Sequence, residues 1–225
     1  MKRLHLNPNL AEIDITDPSF ATFVIENKKF FWRLGQYMYL GFPEHQGYLS
    51  VDVDGSFQDL DKMSLYVYNP SDLNLNTKQN LNALYKILKK TYSEQLLATV
   101  DEIEEQLTAI CEEIKLDFDA ELTMDESVRI DDIFKIGNLR FADDDLDFLG
   151  KLTKLVIATY ELRGSTLVFI NHLHDYLETA EIETFMKDLA YRGISIVNIE
   201  TSEPQNRCEN EQISIVDSDL CAIGS

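Results

Sequence analysis

Ser165 to Thr201 reads STLVFINHLHDYLETAEIETFMKDLAYRGISIVNIET, and this stretch decides the fold class. Thr166 to Asn171 (TLVFIN) is a short apolar run rich in β-branched and aromatic residues, the composition of a strand covered on both faces. Ile194 to Glu200 (ISIVNIE) has the same character. Between them Ile182, Phe185, Met186 and Leu189 recur at helical spacing, Thr179 stands where a helix cap is expected, and Gly193 supplies a stop. Strand, helix, strand in this order predicts a β-α-β unit and therefore a parallel sheet.

Working outward, Ala21 to Glu26 (ATFVIE) predicts another strand. A helix follows over NKKFFWRLGQYMYLGF, with Phe30, Phe31, Leu34 and Met38 inward, ended by Gly41 and Pro43. Gly47 to Lys62 reads as a hairpin or loop, and Ser64 to Tyr68 (SLYVY) as a strand. Thr77 to Ile114 holds neither Pro nor Gly and has apolar residues at Leu81, Leu84, Leu88, Val100, Ile103, Leu107 and Ile110. One continuous helix there would run roughly 57 Å. Thr91 and Glu94 match a capping box, so two helices meeting near Ser93 satisfy the pattern equally. Leu116 to Leu122 (LDFDAEL) alternates like a strand, Ile130 to Ile136 and Asp145 to Leu162 read as helices, and Ile213 to Ile223 as a last strand pair or an edge strand. The expected architecture is an α/β head with a mostly parallel sheet, built from residues 1–75 and 161–225, with a helical lobe inserted over 76–160.

The 225 residues, 44% of them hydrophobic, suffice for a real core. MKRLHLNPNLAEID lacks an apolar signal region and no run approaches a membrane span of about 18 residues, so the expectation is a soluble, cytoplasmic protein. Cys111, Cys208 and Cys221 share no metal or redox spacing and read as free, buried thiols. The net charge of -20 is unevenly distributed. Residues 1–100 carry 10 basic and 11 acidic side chains, whereas 101–225 carry 10 and 29. From Leu73 to Ser93 there are four lysines and no acid, the longest locally positive segment.

Several chemistries are missing from the chain. No G-x-x-x-x-G-K-[ST] sequence occurs, and where a phosphate loop would follow the first strand stands Glu26-Asn27-Lys28-Lys29-Phe30-Phe31, without a glycine to admit a phosphate. ATP hydrolysis is therefore not expected. There is no G-x-S-x-G elbow. Asp52-x-Asp54-Gly55 lacks the spacing of a calcium-binding EF-hand loop, and Asp143-Asp144-Asp145 reads as a charge cluster at a helix start. His172-Leu173-His174-Asp175 follows a strand at the end where open α/β sheets place ligands. It reads as a metal or acid/base pair or, with no convergent carboxylates identifiable, as a polar loop that caps the next helix.

Two constellations carry binding chemistry. Lys78, Lys86, Lys89 and Lys90 fall within about a third of a helix circumference, opposite Leu81, Leu84 and Leu88. Such a stripe can contact phosphates without reading bases, or it is simply a solvated face. Asp117, Asp119 and Glu121 would project from one face of an extended strand, where a hard divalent cation such as Ca2+ would relieve their repulsion. A solvated strand face is the other reading.

ATFVIENKKFFWRLGQYMY over 21–39, LVFINHLHDYLETAEIETFMKDLAYRGISIVNIE over 167–200, LDFDAEL over 116–122 and DSDLCAI over 217–223 together resemble the type II-A CRISPR-associated adaptation proteins of the Csn group. The resemblance implies a head related to P-loop ATPases but without nucleotide motifs or bound nucleotide, and a helical leg domain. It further implies a non-enzymatic homotetrameric ring, stabilised by calcium, that encloses linear double-stranded DNA ends without sequence preference. Such a ring supports spacer acquisition in antiviral defence, beside an integrase and an RNA-guided effector nuclease. Carried onto this chain, the calcium falls on Asp117, Asp119 and Glu121. Phosphate contact falls on Lys86, Lys89 and Lys90, with Lys78, Lys28, Lys29, Arg33 and Lys135 as further candidates. A ring also accommodates the acidity, because symmetry gathers copies of one lysine stripe at a common hole while acidic faces point outward. Two other classes fit the residues: a degenerate nucleotide-binding fold that serves as a scaffold or sensor for basic protein partners, and a metal-dependent nuclease using the carboxylates.

Overall fold

The computed structural model describes residues 1–6, 10–43, 47–116, 129–142 and 145–223. In chain order the elements are β1 (Lys2–Leu6), β2 (Ala11–Asp14), β3 (Phe20–Ile25), α1 (Lys28–Tyr39), β4 (Leu49–Val53), β5 (Ser56–Gln58), α2 (Leu60–Met63) and β6 (Ser64–Val67). Then come α3 (Lys78–Thr91), α4 (Ser93–Leu116), α5 (Ile130–Ile136) and α6 (Phe148–Arg163). The chain closes with β7 (Leu167–Asn171), a 3-10 turn (Leu173–Asp175), α7 (Thr179–Ala190), β8 (Ser195–Glu200), β9 (Gln212–Val216) and β10 (Ala222–Ile223). Contacts divide it into two compact units, Met1–Asn74 with Asp144–Ser225, and Leu75–Asp143. Helix α6 therefore belongs to the first unit, 17 residues earlier than a break at 160 would allow. Leu152, Leu155, Val156 and Thr159 are buried along it.

The first unit is α/β and carries two sheets. The larger has strand order β10-β9-β3-β8-β7-β6, parallel throughout except for the antiparallel β10 edge. Every residue of β3, β7 and β8 is buried, as strands sandwiched between layers require. The β7-α7-β8 segment is the expected β-α-β unit, with Leu167 to Asn171 in register with Ser195 to Ile199. Gly164 at φ 72° ends α6 and turns the chain into β7, and Gly193 at φ 75° performs the same left-handed turn before β8.

The second sheet, of order β2-β1-β4-β5, is antiparallel, and the sequence patterning gave no sign of its first two strands. β1 and β2 are short and polar-interrupted; only after pairing do Leu4, Leu6, Ile13 and Val51 reach one buried face. These residues share a core with Phe23, Ile25, Phe169, Val197 and Ile199 of the parallel sheet and with Leu34, Tyr37 and Met38 of α1.

Other details differ from the sequence expectations. Glu178, not Thr179, occupies the N-cap position of α7, where its N–H donates to the Glu181 carboxylate at 2.9 Å, an acidic arrangement suited to the positive end of a helix. The cysteines are free, but only Cys208 is buried: Cys111 is half-buried and Cys221 exposed. The segment Leu116 to Leu122, expected as a strand, lies outside the described residues beyond Leu116, which closes α4.

The second unit is helical in its described residues. α3 and α4 are separate helices, because Tyr92, at φ -118°, caps α3 and the chain restarts at Ser93. Val100, Ile130 and Phe134 form its small core, packed by Tyr85, Leu88, Leu96 and Ile133. Among the described residues, no helix is long and apolar enough to cross a membrane.

Candidate functional sites

Helix α3 begins where the Thr77 hydroxyl accepts from the Asn80 N–H at 3.2 Å. Burial of Tyr85 and Leu88 against the unit core then fixes which face meets water. Lys78, Lys86, Lys89 and Lys90 are all exposed on it. Lys89 Nζ lies 3.6 Å from an Asp131 carboxylate oxygen, whereas Lys78, Lys86 and Lys90 have no carboxylate within ion-pair distance among the described residues. The neighbouring α4 carries Glu94, Asp101, Glu102, Glu104, Glu105, Glu112 and Glu113 against a single Lys115, so the two signs are segregated on adjacent helices.

Lys135 is differently placed. Its Nζ lies 3.1 Å from Asp132, whose other oxygen is 3.1 Å from Arg129 Nε. Those two cations hold the Asp132 carboxyl well below the usual carboxylate range. Lys28, Lys29 and Arg33 lie on α1 in the first unit, exposed and without an acid in that helix. At the start of α1, where a phosphate would rest in a nucleotide fold, the Asn27 side chain accepts from Phe30 N–H at 3.0 Å and donates to the Ser218 carbonyl at 2.7 Å.

At the carboxyl edge of the parallel sheet the structure assembles a polar cluster of which the sequence showed only the His172-Leu173-His174-Asp175 run. His172 adopts a left-handed backbone, φ 56°, directly after β7. Its N–H donates to the Ile199 carbonyl at 3.0 Å, which brings it beside the end of β8. His172 Nδ1 lies 3.0 Å from Glu200 Oε2 and 3.6 Å from Asp175 Oδ2. The Glu200 carboxylate raises the His172 pKa, burial opposing it. Glu200 is buried, and its Oε1 accepts from Asn198 Nδ2 at 2.8 Å and from the His174 N–H at 3.3 Å. His174 Nε2 in turn lies 3.0 Å from Glu211 Oε1, which also accepts from the Thr22 hydroxyl at 2.5 Å. Burial pushes the Glu211 carboxyl up, but bonds from His174, Thr22 and the Cys208 N–H outweigh it and hold the pKa below its ordinary value.

The clue available in the sequence was polarity in the wrong place. Thr22, Asn198 and Glu200 interrupt strands that are otherwise apolar, and a polar side chain in a doubly covered strand needs a partner. Identifying those partners required the sheet order. Asp117, Asp119 and Glu121 lie outside the described residues. Among the described residues, His172, Asp175 and Glu200 form a group of three potential metal-ligating side chains.

A family model described as CRISPR-associated protein (Cas_Csn2) matches residues 48–220. No curated protein matches the sequence. Among solved structures, the chain is similar to Stu0660 of Streptococcus thermophilus, with a TM-score of 0.60 at 14% identity, covering 96% of this chain and 74% of that one. That likeness is one of fold.

Proposed function

Because the chain belongs to the CRISPR-associated Csn2 family, we propose that it binds linear double-stranded DNA ends without sequence preference, as a calcium-stabilised homotetrameric ring supporting spacer acquisition in the cytoplasm. The observation that carries this reading is the exposed α3 face, where Lys78, Lys86 and Lys90 have no carboxylate within ion-pair distance among the described residues of a chain of net charge -20. Unneutralised lysines on one helix face are what phosphate binding needs, and helical spacing supplies several contacts to a regular backbone. Lys89 joins them by leaving Asp131, with Lys28, Lys29, Arg33 and Lys135 as further phosphate contacts. The protein acts by holding DNA and not by catalysis, beside an integrase and an RNA-guided effector nuclease.

Calcium is assigned to Asp117, Asp119 and Glu121, an all-oxygen set as that ion prefers. The cluster at His172 offers a nitrogen and only three ligand atoms, and does not fit calcium's demand for six to eight oxygens.

A gel shift with linear and closed circular duplex, in calcium and in chelator, tests the reading. Expected are a shift of linear DNA alone, dependence on calcium and no cleavage, with light scattering giving four times the 25.9 kDa chain mass. Equal binding of circles would remove threading, and cleavage would favour a nuclease. A second reading rests on the acidic α4: if neither DNA binds, that helix becomes the docking face of a scaffold for basic protein partners.

A further inference from the structure

We propose that His172, Asp175 and Glu200 bind a divalent transition-metal ion, with zinc as the reference case, at a site distinct from that of calcium. Two of the three ligand-to-ligand separations, both from His172 Nδ1, already stand near those required. Zinc bonds to nitrogen and oxygen of about 2.0 to 2.2 Å place ligands at the corners of a tetrahedron whose edges are about 3.4 Å. His172 Nδ1 stands 3.0 Å from Glu200 Oε2 and 3.6 Å from Asp175 Oδ2, one shorter and one longer than that edge. All three ligand atoms lie within 4.8 Å of one another. One imidazole and two carboxylates suit a borderline ion such as zinc.

The surroundings orient these ligands as outer contacts orient known metal sites. Glu200 Oε1 is occupied by Asn198 Nδ2 and the His174 N–H, which leaves Oε2 turned to His172. The His172 ring is packed by Phe31 at 5.5 Å between centroids. His172 and Asp175 are three residues apart on one turn, and the parallel pairing of β7 with β8 delivers Glu200. The site is also reachable. The Asp175 side chain is 72% exposed, and a cleft of about 340 Å³ lined by Asp175, Glu178, Glu200 and Glu203 adjoins it. Its acidity raises the local cation concentration, and the open side leaves a fourth coordination position to water. The metal takes the lone pair of His172 Nδ1, so a proton carried there passes to solvent as the ion binds.

The test titrates chelator-stripped protein with Zn2+ against a chromogenic competitor, and with Co2+, whose visible absorption reports four-coordination. One zinc per chain is expected, unaffected by excess calcium. His172→Ala and Asp175→Asn should each weaken it at least about tenfold, while His5→Ala and Cys221→Ser leave it unchanged. Asp175 is exposed, so its substitution keeps the fold, checked by circular dichroism. Absence of stoichiometric uptake, or uptake unaltered by both His172→Ala and Asp175→Asn, would overturn the proposal. DNA binding plays no part in this readout, so the two readings fail independently.

Discussion

His174 Nε2 lies 3.0 Å from Glu211 Oε1, joining the turn after β7 to the residue that precedes β9. The carboxylate has no solvent exposure, and its second oxygen accepts from the Cys208 N–H at 2.9 Å. With the Thr22 hydroxyl on the first oxygen, one buried acid ties together β3, the β7 turn and the β8–β9 connection.

Glu211→Gln should therefore destabilise the first unit by about 1 to 3 kcal/mol near neutral pH, because charge-assisted bonds are lost from a buried position. The folded-state pKa of Glu211 is depressed, so its contribution is present above the ordinary value of 4.5 and disappears as pH falls through the lower folded value. Urea midpoints of wild type and variant should converge as pH is lowered below 4.5. A gap that stays constant over that range would show that the charge contributes nothing.

The lysines of α3 are predicted to be unequal to Lys135. Lys86→Ala and Lys90→Ala should each reduce the slope of log affinity against log salt by about 0.9, one phosphate contact apiece. Lys135→Ala should change it less, since that side chain is engaged by Asp132 at 3.1 Å. Fluorescence anisotropy with linear duplex over a salt series measures all three.

Asn27 both caps α1 and holds the Ser218 carbonyl. Asn27→Ala should cost about 1 kcal/mol from the cap alone. Asn27→Asp keeps an acceptor for the Phe30 N–H but loses the donor to Ser218, so a smaller loss is expected. Equal losses in denaturant midpoint for the two would assign the effect to the Ser218 bond and not to the cap.

Thiol chemistry should follow burial. Cys208 is 5% exposed, and burial, with Glu211 and Glu183 adding to it, pushes its thiol up to about 12. Cys221 is exposed. Alkylation of the native protein followed by peptide mass analysis should label Cys221 first, and Cys208 only after denaturant is added.

The sequence by itself determined those features that repeat at short range. TLVFIN and ISIVNIE declared covered strands, the Ile182, Phe185 and Leu189 spacing declared α7, and the acid-free run from Leu73 to Ser93 declared the charge of α3. In each case residues within a few positions of one another carry the whole signal, and burial of one face enforces it. The break at Tyr92 was only half legible, since continuous and divided helices satisfy the same apolar spacing. Tertiary structure alone decided the rest. β1 and β2 acquire a buried face only by pairing with each other and with β4, and Glu200 meets His172 across 28 residues because β7 and β8 are neighbours in register. Such meetings depend on sheet order, a long-range property that no local period encodes. The histidine pair consequently looked like a loop cap in the sequence and became, in the fold, one corner of a carboxylate network.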